Sequence, residues 1–448
     1  MNENPFLLKI QLKQHTPLIH FQSEQVGATL RATEVKPKLD RFIFHKFKVL
    51  FPNDTTLYPY LKCFDCSEKE PSKYKIRICH EGNMPKKYLI ASYLKQDYQN
   101  LLKENEIEYL HSMPYFAQES EISALFNEVG GYQGERRKEY EFVPQKLNDI
   151  SKWGIMHHPD GKLDDSPLYL KIISFEKPII EILEKVLPYF FAYENFGTRQ
   201  SKGFGCFSVV QKDIKYEELL KKVYPTIRYK LVRELRGLQR QLEQIGGDYK
   251  LLKSGRGSKE RGGYAKSQMF LYGVAQPNPI RWEKRKFKRY VNDNKPYSKI
   301  GLKVESGNSS IYDENGNQSF KDPNPAYDYK YIRALLGLAE QYELQTDRGW
   351  SYKYIVQVKS QNGIERFQSP IIFKIHDNHI YLLGEAINPN ILGKDFEFKL
   401  KMKKNNKIDE NFDRSMFTIS TPTTFDLAMF LHFALVTGSE KIKGYTKL

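Results

Sequence analysis

The chain has 448 residues, and its 70 Lys and Arg outnumber its 54 Asp and Glu, which gives a formal charge of +16 at pH 7. That length predicts two domains of about 200 residues each, and the basic surplus indicates a polyanionic partner. The sequence contains neither an apolar stretch of about 18 residues nor a secretory leader pattern, and its 4 cysteines are too few for a disulfide framework, so we expect a cytoplasmic protein without a membrane partner.

The first half of the chain alternates strand and helix patterns. In chain order it predicts a strand at Phe6–Leu12, a helix from Thr33, a hairpin between Leu57 and Ile78, a strand at Leu168–Ser174, a helix at Ile179–Tyr193 and a strand at Cys206–Val210. This order is typical of a ferredoxin-like α+β domain. We therefore predict an N-terminal domain over residues 1–215.

The second half begins with a predicted amphipathic helix from Ile227 to Ile245, closed by Gly246-Gly247. We place the domain boundary near residues 212–226 and a second, diverged domain over 226–448. Two basic runs follow, KSGRGSKERGGYAKS from Lys253 and RWEKRKFKRY from Arg281, whose glycines and aromatics are typical of RNA-binding surfaces. The predicted fold is thus α+β with two ferredoxin-like domains.

Cations gather at the start of the first predicted helix. Arg31, Lys36, Lys38 and Arg41 alternate with apolar residues, so the helix can bury one face and present its cations on another. The amides of its first turn can also receive a phosphate. A solvated helix face would carry similar charges, but glycine, threonine and cations at one helix start favour contact with RNA.

The loop from Gly197 to Gly205 is the second candidate. Its three glycines let a backbone pass close to another chain, and two cations lie where backbone amides are exposed. Small glycine loops also serve as ordinary turns, so the signal depends on its context. The two segments together predict an RNA-binding site that comprises Arg31, Lys36, Lys38, Arg41, Gly197, Arg199, Lys202, Gly203 and Gly205.

Histidines offer a catalytic alternative. A nuclease that processes RNA could use His15, His20, His45 or the pair His157-His158 as general acid or base. None of them lies in a recognisable array with Tyr and Lys, and no paired carboxylates typical of a metal nuclease are visible. We therefore predict no catalytic residues.

A zinc site is a further alternative. Cys63, Cys66, Cys79 and His80 could supply four ligands, but ligands at adjacent positions of an extended chain diverge. Neither GxGxxG nor GxxxxGK[ST] occurs, so no phosphate loop is indicated. The sequence predicts no metal and no cofactor.

Three stretches resemble RAMP-superfamily proteins of CRISPR systems. They are TPLIHF at 16–21, ATLRATEVKPKLDRF at 28–42 and NFGTRQSKGFGCF at 195–207. In order and spacing they are most similar to the first RAMP subunit of the Cmr-type (type III-B) effector, and QSPIIFKI at Gln368–Ile375 adds a similar stretch. Departures at His20-Phe21-Gln22, Pro37 and Phe42 leave two alternatives, a divergent branch of this subunit or a different RAMP subunit.

The resemblance implies two ferredoxin-like, RRM-like domains that hold CRISPR RNA toward its 3′ end, or target RNA, and dock on other RAMP subunits of a type III effector complex. It also implies a non-catalytic role in an antiviral ribonucleoprotein. Two alternatives stay open. One is a RAMP-superfamily endoribonuclease that processes CRISPR RNA, and the other is a basic scaffold for protein interactions, whose cations would be scattered evenly.

Overall fold

The computed structural model of the protein describes residues 4–19, 30–65, 73–91, 96–111, 125–130, 139–149, 153–158, 167–211, 214–256, 263, 265–302, 329–338, 341–361, 363–364, 367–405 and 407–448. The strands in these ranges are β1 Leu7–Gln14, β2 Leu18–Ile19, β3 Tyr74–His80, β4 Lys86–Ala91, β5 Tyr109–His111, β6 Phe126–Gly130, β7 Glu139–Phe142, β8 Trp153–Met156, β9 Leu168–Ser174, β10 Phe207–Val209, β11 Ile227–Leu231, β12 Arg281–Trp282, β13 Tyr329–Lys330, β14 Gln341–Thr346, β15 Gly349–Ser360, β16 Ile371–His376, β17 His379–Gly384, β18 Asp395–Lys404, β19 Lys407–Ser420 and β20 Tyr445–Lys447.

The α-helices of the same ranges are α1 Ala32–Leu50, α2 Gln96–Glu104, α3 Lys177–Tyr193, α4 Tyr216–Val223, α5 Leu238–Lys253, α6 Gln268–Val274, α7 Glu283–Asn294 and α8 Leu427–His432. Short 3-10 helices lie at Thr55–Phe64, Pro144–Asp149, Ile332–Leu336 and Pro389–Ile391, and a π-helical turn lies at Phe433–Thr437. This mixture of helices and largely antiparallel sheets confirms the predicted α+β class. Within the described residues, no helix is both long and apolar enough to span a bilayer.

Contacts divide the chain into two compact units. The first comprises Met1–Gly247, Ile372–Leu383 and Gly444–Leu448, and the second comprises Asp248–Ile371 and Gly384–Lys443. The first unit is therefore discontinuous in sequence. The predicted domains, residues 1–215 and 226–448, describe successive stretches of the chain and stay a prediction.

The first sheet of unit one has the strand order β10-β1-β9-β3, and each neighbouring pair is antiparallel. Alternate strand residues such as Leu8, Leu12 and Leu170 are buried in one apolar cluster with the inner faces of α1 and α3. The two helices meet there, because the rings of Phe42 and Phe190 lie 5.7 Å apart. Along the chain the elements follow the β-α-β-β-α-β order of ferredoxin-like units.

A second sheet in unit one has the order β16-β17-β11-β20. In chain order, β11 is the first strand of this sheet, β16 the second, β17 the third and β20 the fourth. Read across the sheet from the β20 edge, the order is therefore fourth, first, third, second, the same as in the first sheet read from the β10 edge. In the chain, α5 is the first helix after β11, and α8 lies between β17 and β20. The assignment of two complete ferredoxin-like domains stays a prediction.

The helix predicted from Ile227 to Ile245 is wrong. Ile227, Tyr229 and Leu231 are buried at every second position and form β11, while α5 starts only at Leu238. The apolar residues of this stretch satisfy a period of two as well as one near four, and pairing with β20 selects the strand. Gly246 and Gly247 lie inside α5 rather than after it.

A small sheet of order β2-β8-β4-β5 and the separate hairpin β6–β7 come mostly from the segment between β3 and β9. Leu89, Leu102 and Phe126 belong to their own apolar cluster, in which Tyr98 stacks on Phe126 with ring centres 4.0 Å apart. This cluster is distinct from the core beneath the first sheet.

The second unit is organised by the antiparallel sheet β14-β15-β18-β19. Phe287 of α7 packs on this sheet with its ring centre 4.8 Å from that of Phe398. Close by, the guanidinium of Arg333 donates to the carboxylate of Glu283, and the two residues are 5% and 0% exposed. Burial disfavours the guanidinium charge, but Glu283 together with Tyr342 and Tyr331 outweighs it and raises the pKa of Arg333 above its ordinary value.

Candidate functional site

The glycine loop closes against the start of the chain. Its Gly205 amide donates to the Pro17 carbonyl at 3.0 Å, and its Thr198 amide donates to the Ile19 carbonyl at 2.7 Å. The Gly197 amide donates to Glu34 Oε1 of α1 at 2.7 Å. The structure thus brings the two predicted segments, the helix start and the glycine loop, into direct contact.

Each glycine of the loop has a positive φ and a crowded α-carbon. A Cβ on Gly197 (φ 73°) would lie 2.5 Å from the Ile19 carbonyl oxygen, and one on Gly205 (φ 65°) would overlap the Phe196 carbonyl oxygen. At Gly203 (φ 80°) a Cβ would lie 2.7 Å from the Ile245 side chain. The loop therefore needs glycine for its own closure, a requirement of folding that the sequence could not separate from close approach by RNA.

Lys38 positions the loop. Its ammonium donates to the Asn195 carbonyl at 2.8 Å and to Gln200 Oε1 at 2.9 Å, and it lies 3.5 Å from the Glu194 carboxylate. The neighbouring Glu34 carboxylate is 3.7 Å away. This cation, predicted as an RNA ligand, has its donors directed at the protein's own loop.

Lys36 points elsewhere. Its ammonium lies 3.2 Å from Asp40 and 3.5 Å above the ring of Tyr74 in β3. Lys36 therefore faces the sheet side of α1, whereas Lys38 faces the loop. Of the four predicted helix cations, Arg41 is exposed and Arg31 is half-buried at the residue just before α1.

The two cations of the loop itself are half-buried. Arg199 has a φ of 58°, and its own burial lowers the pKa of its guanidinium. Burial, helped by the charge of Arg199, lowers the pKa of Lys202 to about 8. Partial desolvation makes the charged form of both groups less favourable. A bound anion would offset this cost, so anion binding would be favoured here.

Lys374 supports the loop, and the sequence analysis did not predict it. It is 0% exposed, and its ammonium donates to the Glu194 carbonyl at 2.6 Å and to Asn195 Oδ1 at 2.7 Å. Burial lowers the pKa of Lys374 to about 8. The sequence feature that could have indicated this residue is a lysine within the apolar run SPIIFKI. This run pairs with the loop through a hydrogen bond from the Phe373 amide to the Ser201 carbonyl at 3.1 Å.

His15 is buried rather than presented to solvent. The Asp377 amide donates to its Nδ1 at 3.1 Å, so the proton is on Nε2, which donates to Ser208 Oγ at 2.8 Å. A general base for Ser208 would need the opposite tautomer. His45 is exposed on α1, and His20 lies outside the described residues.

His157 and His158 are also buried. Their exposed fractions are 3% and 1%, and neither ring nitrogen of His157 has a hydrogen-bond partner among the described residues. Desolvation, with the nearby rings of His80 and His158, lowers the pKa of His157 to about 4. A neutral, enclosed imidazole is poorly placed to exchange protons with RNA.

A pH series tests this burial. The unfolded chain binds a proton at His157 with a pKa near 6.5, whereas the folded protein resists it until about pH 4. The free energy of unfolding should therefore fall as pH decreases from 6.5 to 4, by up to roughly 3 kcal/mol from this residue. In urea denaturation, His157→Leu should make that dependence shallower, whereas His45→Gln should leave it intact. Equal slopes for wild type and His157→Leu would contradict the assignment.

The proposed zinc ligands are not assembled within the described ranges. Cys63 and Cys79 are free thiols there, and Cys66 lies outside the described residues. Among the residues that the structure describes, no group of three or more His, Cys, Asp or Glu side chains is arranged to hold a metal ion.

The basic runs of unit two are only partly described. In RWEKRKFKRY the aromatic Phe287 is buried, while Lys284, Arg285 and Lys288 are half-buried on α7. In the other run, Lys259 and Arg261 lie outside the described residues. Burial lowers the pKa of Lys286, whose ammonium lies 4.5 Å above the ring of Phe417.

Comparison with protein families gives two matches that follow one another along the chain. The Cmr1 N-terminal domain family matches residues 6–256, and the Cmr1 C-terminal domain family matches residues 264–443. The first match alone covers more than half of the chain, and it includes both the start of α1 and the glycine loop. A comparison with curated proteins gave no match.

Proposed function

The chain belongs to the Cmr1 family of CRISPR RAMP proteins, which makes it a type III-B effector subunit, and from that premise we propose that it holds single-stranded RNA without cleaving it. The RNA is CRISPR RNA toward its 3′ end, or target RNA paired with it. Its phosphates contact Arg31, Arg41, Arg199 and Lys202, while Lys38 and Lys374 position the loop. Partners in the complex are other RAMP subunits.

One observation carries the proposal. The loop that bears Arg199 and Lys202 is fixed against the first turns of α1, the helix that Arg31 directly precedes, by the hydrogen bond from Gly197 to Glu34 and by those of Lys38. A loop anchored in this way presents its cations without further ordering, so little entropy is lost when a phosphate binds. Partial burial of both loop cations strengthens their attraction to an anion.

Neutralising the site should weaken RNA binding. We expect the variant R31Q/R199Q/K202Q to bind repeat-derived single-stranded RNA at least tenfold more weakly than wild type, and to lower the slope of log affinity against log salt by about 2, since each phosphate contact contributes about 0.7. Fluorescence anisotropy over a salt series measures both quantities. Circular dichroism checks that the variant is folded.

A control variant removes the same charge elsewhere. K62Q/K87Q/K103Q changes three exposed lysines outside the loop and α1, and it should keep the wild-type slope. Equal binding by the site variant and wild type would contradict the proposal. If the free chain binds no RNA, the same variants are compared in the assembled complex, where loss confined to the site variant is expected.

The same samples separate the alternatives. Intact RNA after incubation is expected for a subunit that only binds, whereas metal-independent cutting at one position would support the processing endoribonuclease. Binding to an acidic protein that survives neutralisation of the site, together with no RNA binding in the complex, would support the basic scaffold.

A further inference from the structure

Among the residues that the structure describes, helices cover only one face of the first sheet of unit one. On β1, Leu8 and Leu12 are buried beneath the helices, whereas Lys9 between them is exposed. On the neighbouring β9, Leu170 is buried and Ile173, three positions along, is 49% exposed. Residues at alternate positions of β1, β9 and β3 thus form an open face, which we call the sheet platform.

A row of three cations crosses the sheet platform. Lys9 of β1 is directly opposite Lys171 of β9, which is directly opposite Arg77 of β3. Lys75 lies two residues before Arg77 on the same edge strand, and both side chains are exposed. Glu81, just after β3, lies 3.9 Å from Lys171.

Glu81 offsets part of the charge of this row. Like charges directly opposite one another on neighbouring strands destabilise a sheet, and strands are only about 4.8 Å apart. Of the platform positions in these three described strands, which are Leu7, Lys9, Gln11, Lys13, Tyr169, Lys171, Ile173, Lys75, Arg77 and Cys79, none is acidic. A polyanion lying across the strands would relieve the repulsion.

Aromatic rings lie on both sides of the row. Tyr169, two positions before Lys171 on β9, is half-buried with the Lys9 ammonium 3.8 Å above its ring. Phe175, just past the other end of β9, is 85% exposed and lies 6.0 Å from the Phe6 ring. The two rings are six residues apart, or about 20 Å along an extended chain.

We propose that the sheet platform is a second binding surface for single-stranded RNA, separate from the glycine-loop site. The cation row binds phosphates, and Tyr169 and Phe175 stack on unpaired bases. A four-stranded sheet that displays aromatic side chains is a known way to hold two or three bases, and stacking accepts any base. Duplexes bury their base faces in the helix, so the exposed rings favour a single strand.

Affinity measurements on the full chain test the platform. The variant K9Q/R77Q/K171Q should lower the salt slope for single-stranded RNA by about 2 and weaken binding about tenfold or more at low salt. Phe175→Ala removes a ring that is 85% exposed, and should weaken binding about fivefold. The control K62Q/K87Q/K103Q should behave as wild type.

Crosslinking separates this surface from the glycine-loop site. With RNA that carries 4-thiouridine, we expect adducts on peptides containing Tyr169 or Phe175, lost in K9Q/R77Q/K171Q and kept in R31Q/R199Q/K202Q. Unchanged affinity and slope in the platform variant would overturn the inference, even if the loop variant fails to bind. Equal loss of duplex and single-stranded binding in the platform variant would also overturn it, as would preference for an acidic peptide over RNA. Absence of RNA binding by the full chain would overturn it as well, since this open face needs no partner to complete it.

Discussion

Replacing Arg333 by alanine is expected to lower the free energy of unfolding of unit two by about 3–5 kcal/mol, because it leaves the Glu283 carboxylate buried without its cation. Glu283 is 0% exposed, and Arg333 also lies 4.0 Å above the ring of Tyr342. Both the charge pair and the packing of the guanidinium are therefore lost. The midpoint of urea denaturation, followed by tryptophan fluorescence, measures the change.

Two controls sharpen this result. The double variant R333M/E283L removes both charges and should recover much of the lost stability, since apolar residues of similar size often replace a buried ion pair without loss. Lys353→Ala breaks a more exposed pair, in which the ammonium lies 2.9 Å from Glu343, and should cost less than about 1 kcal/mol. A double variant that is no more stable than Arg333→Ala would contradict the explanation.

Replacing Gly205 by alanine should be nearly as damaging. The new Cβ would overlap the Phe196 carbonyl oxygen, which is backbone and cannot rotate away, at a φ of 65°. We expect a loss of roughly 3 kcal/mol or more, measured by denaturation. RNA binding at the glycine-loop site should fall with it.

Gly237 provides the matched control. It also has a positive φ, 91°, but a Cβ there would meet no atom of the described residues within 4 Å. Gly237→Ala should cost only the backbone preference, about 1 kcal/mol. Similar losses in the two variants would show that close approach at Gly205 is not the cause.

The sequence predicted local features well where one period dominated. Leu168–Ser174 is a strand and the helix predicted at Ile179–Tyr193 lies within α3, because each pattern had one consistent period and a single buried face. Ile227–Leu231 has two periods at once, and only its pairing with β17 and β20, which come far later in the chain, decides between them. The repeated strand order of the two sheets was likewise invisible, since insertions of different lengths hide any fixed spacing.

Only part of the candidate site was predicted, because the rest depends on contacts between residues far apart in the chain. The sequence identified the glycine loop and the helix cations. It could not distinguish Lys38, which donates hydrogen bonds to the loop, from Arg41, which is exposed. It also could not find Lys374, because a buried lysine is recognised only when its acceptors, here Glu194 and Asn195, are placed around it. The sheet platform needed the strand register, which no sequence pattern supplies.

The support of the glycine loop by Lys374 has a consequence for synthesis of the protein. The ribosome completes the loop about 170 residues before it adds Lys374, and β20, at residues 445–447, comes later still. Until then the loop lacks its buried anchor, while the first sheet already has all four strands. We expect the nascent chain to display the cations of the sheet platform first, and to complete the support of the glycine loop when β16 docks.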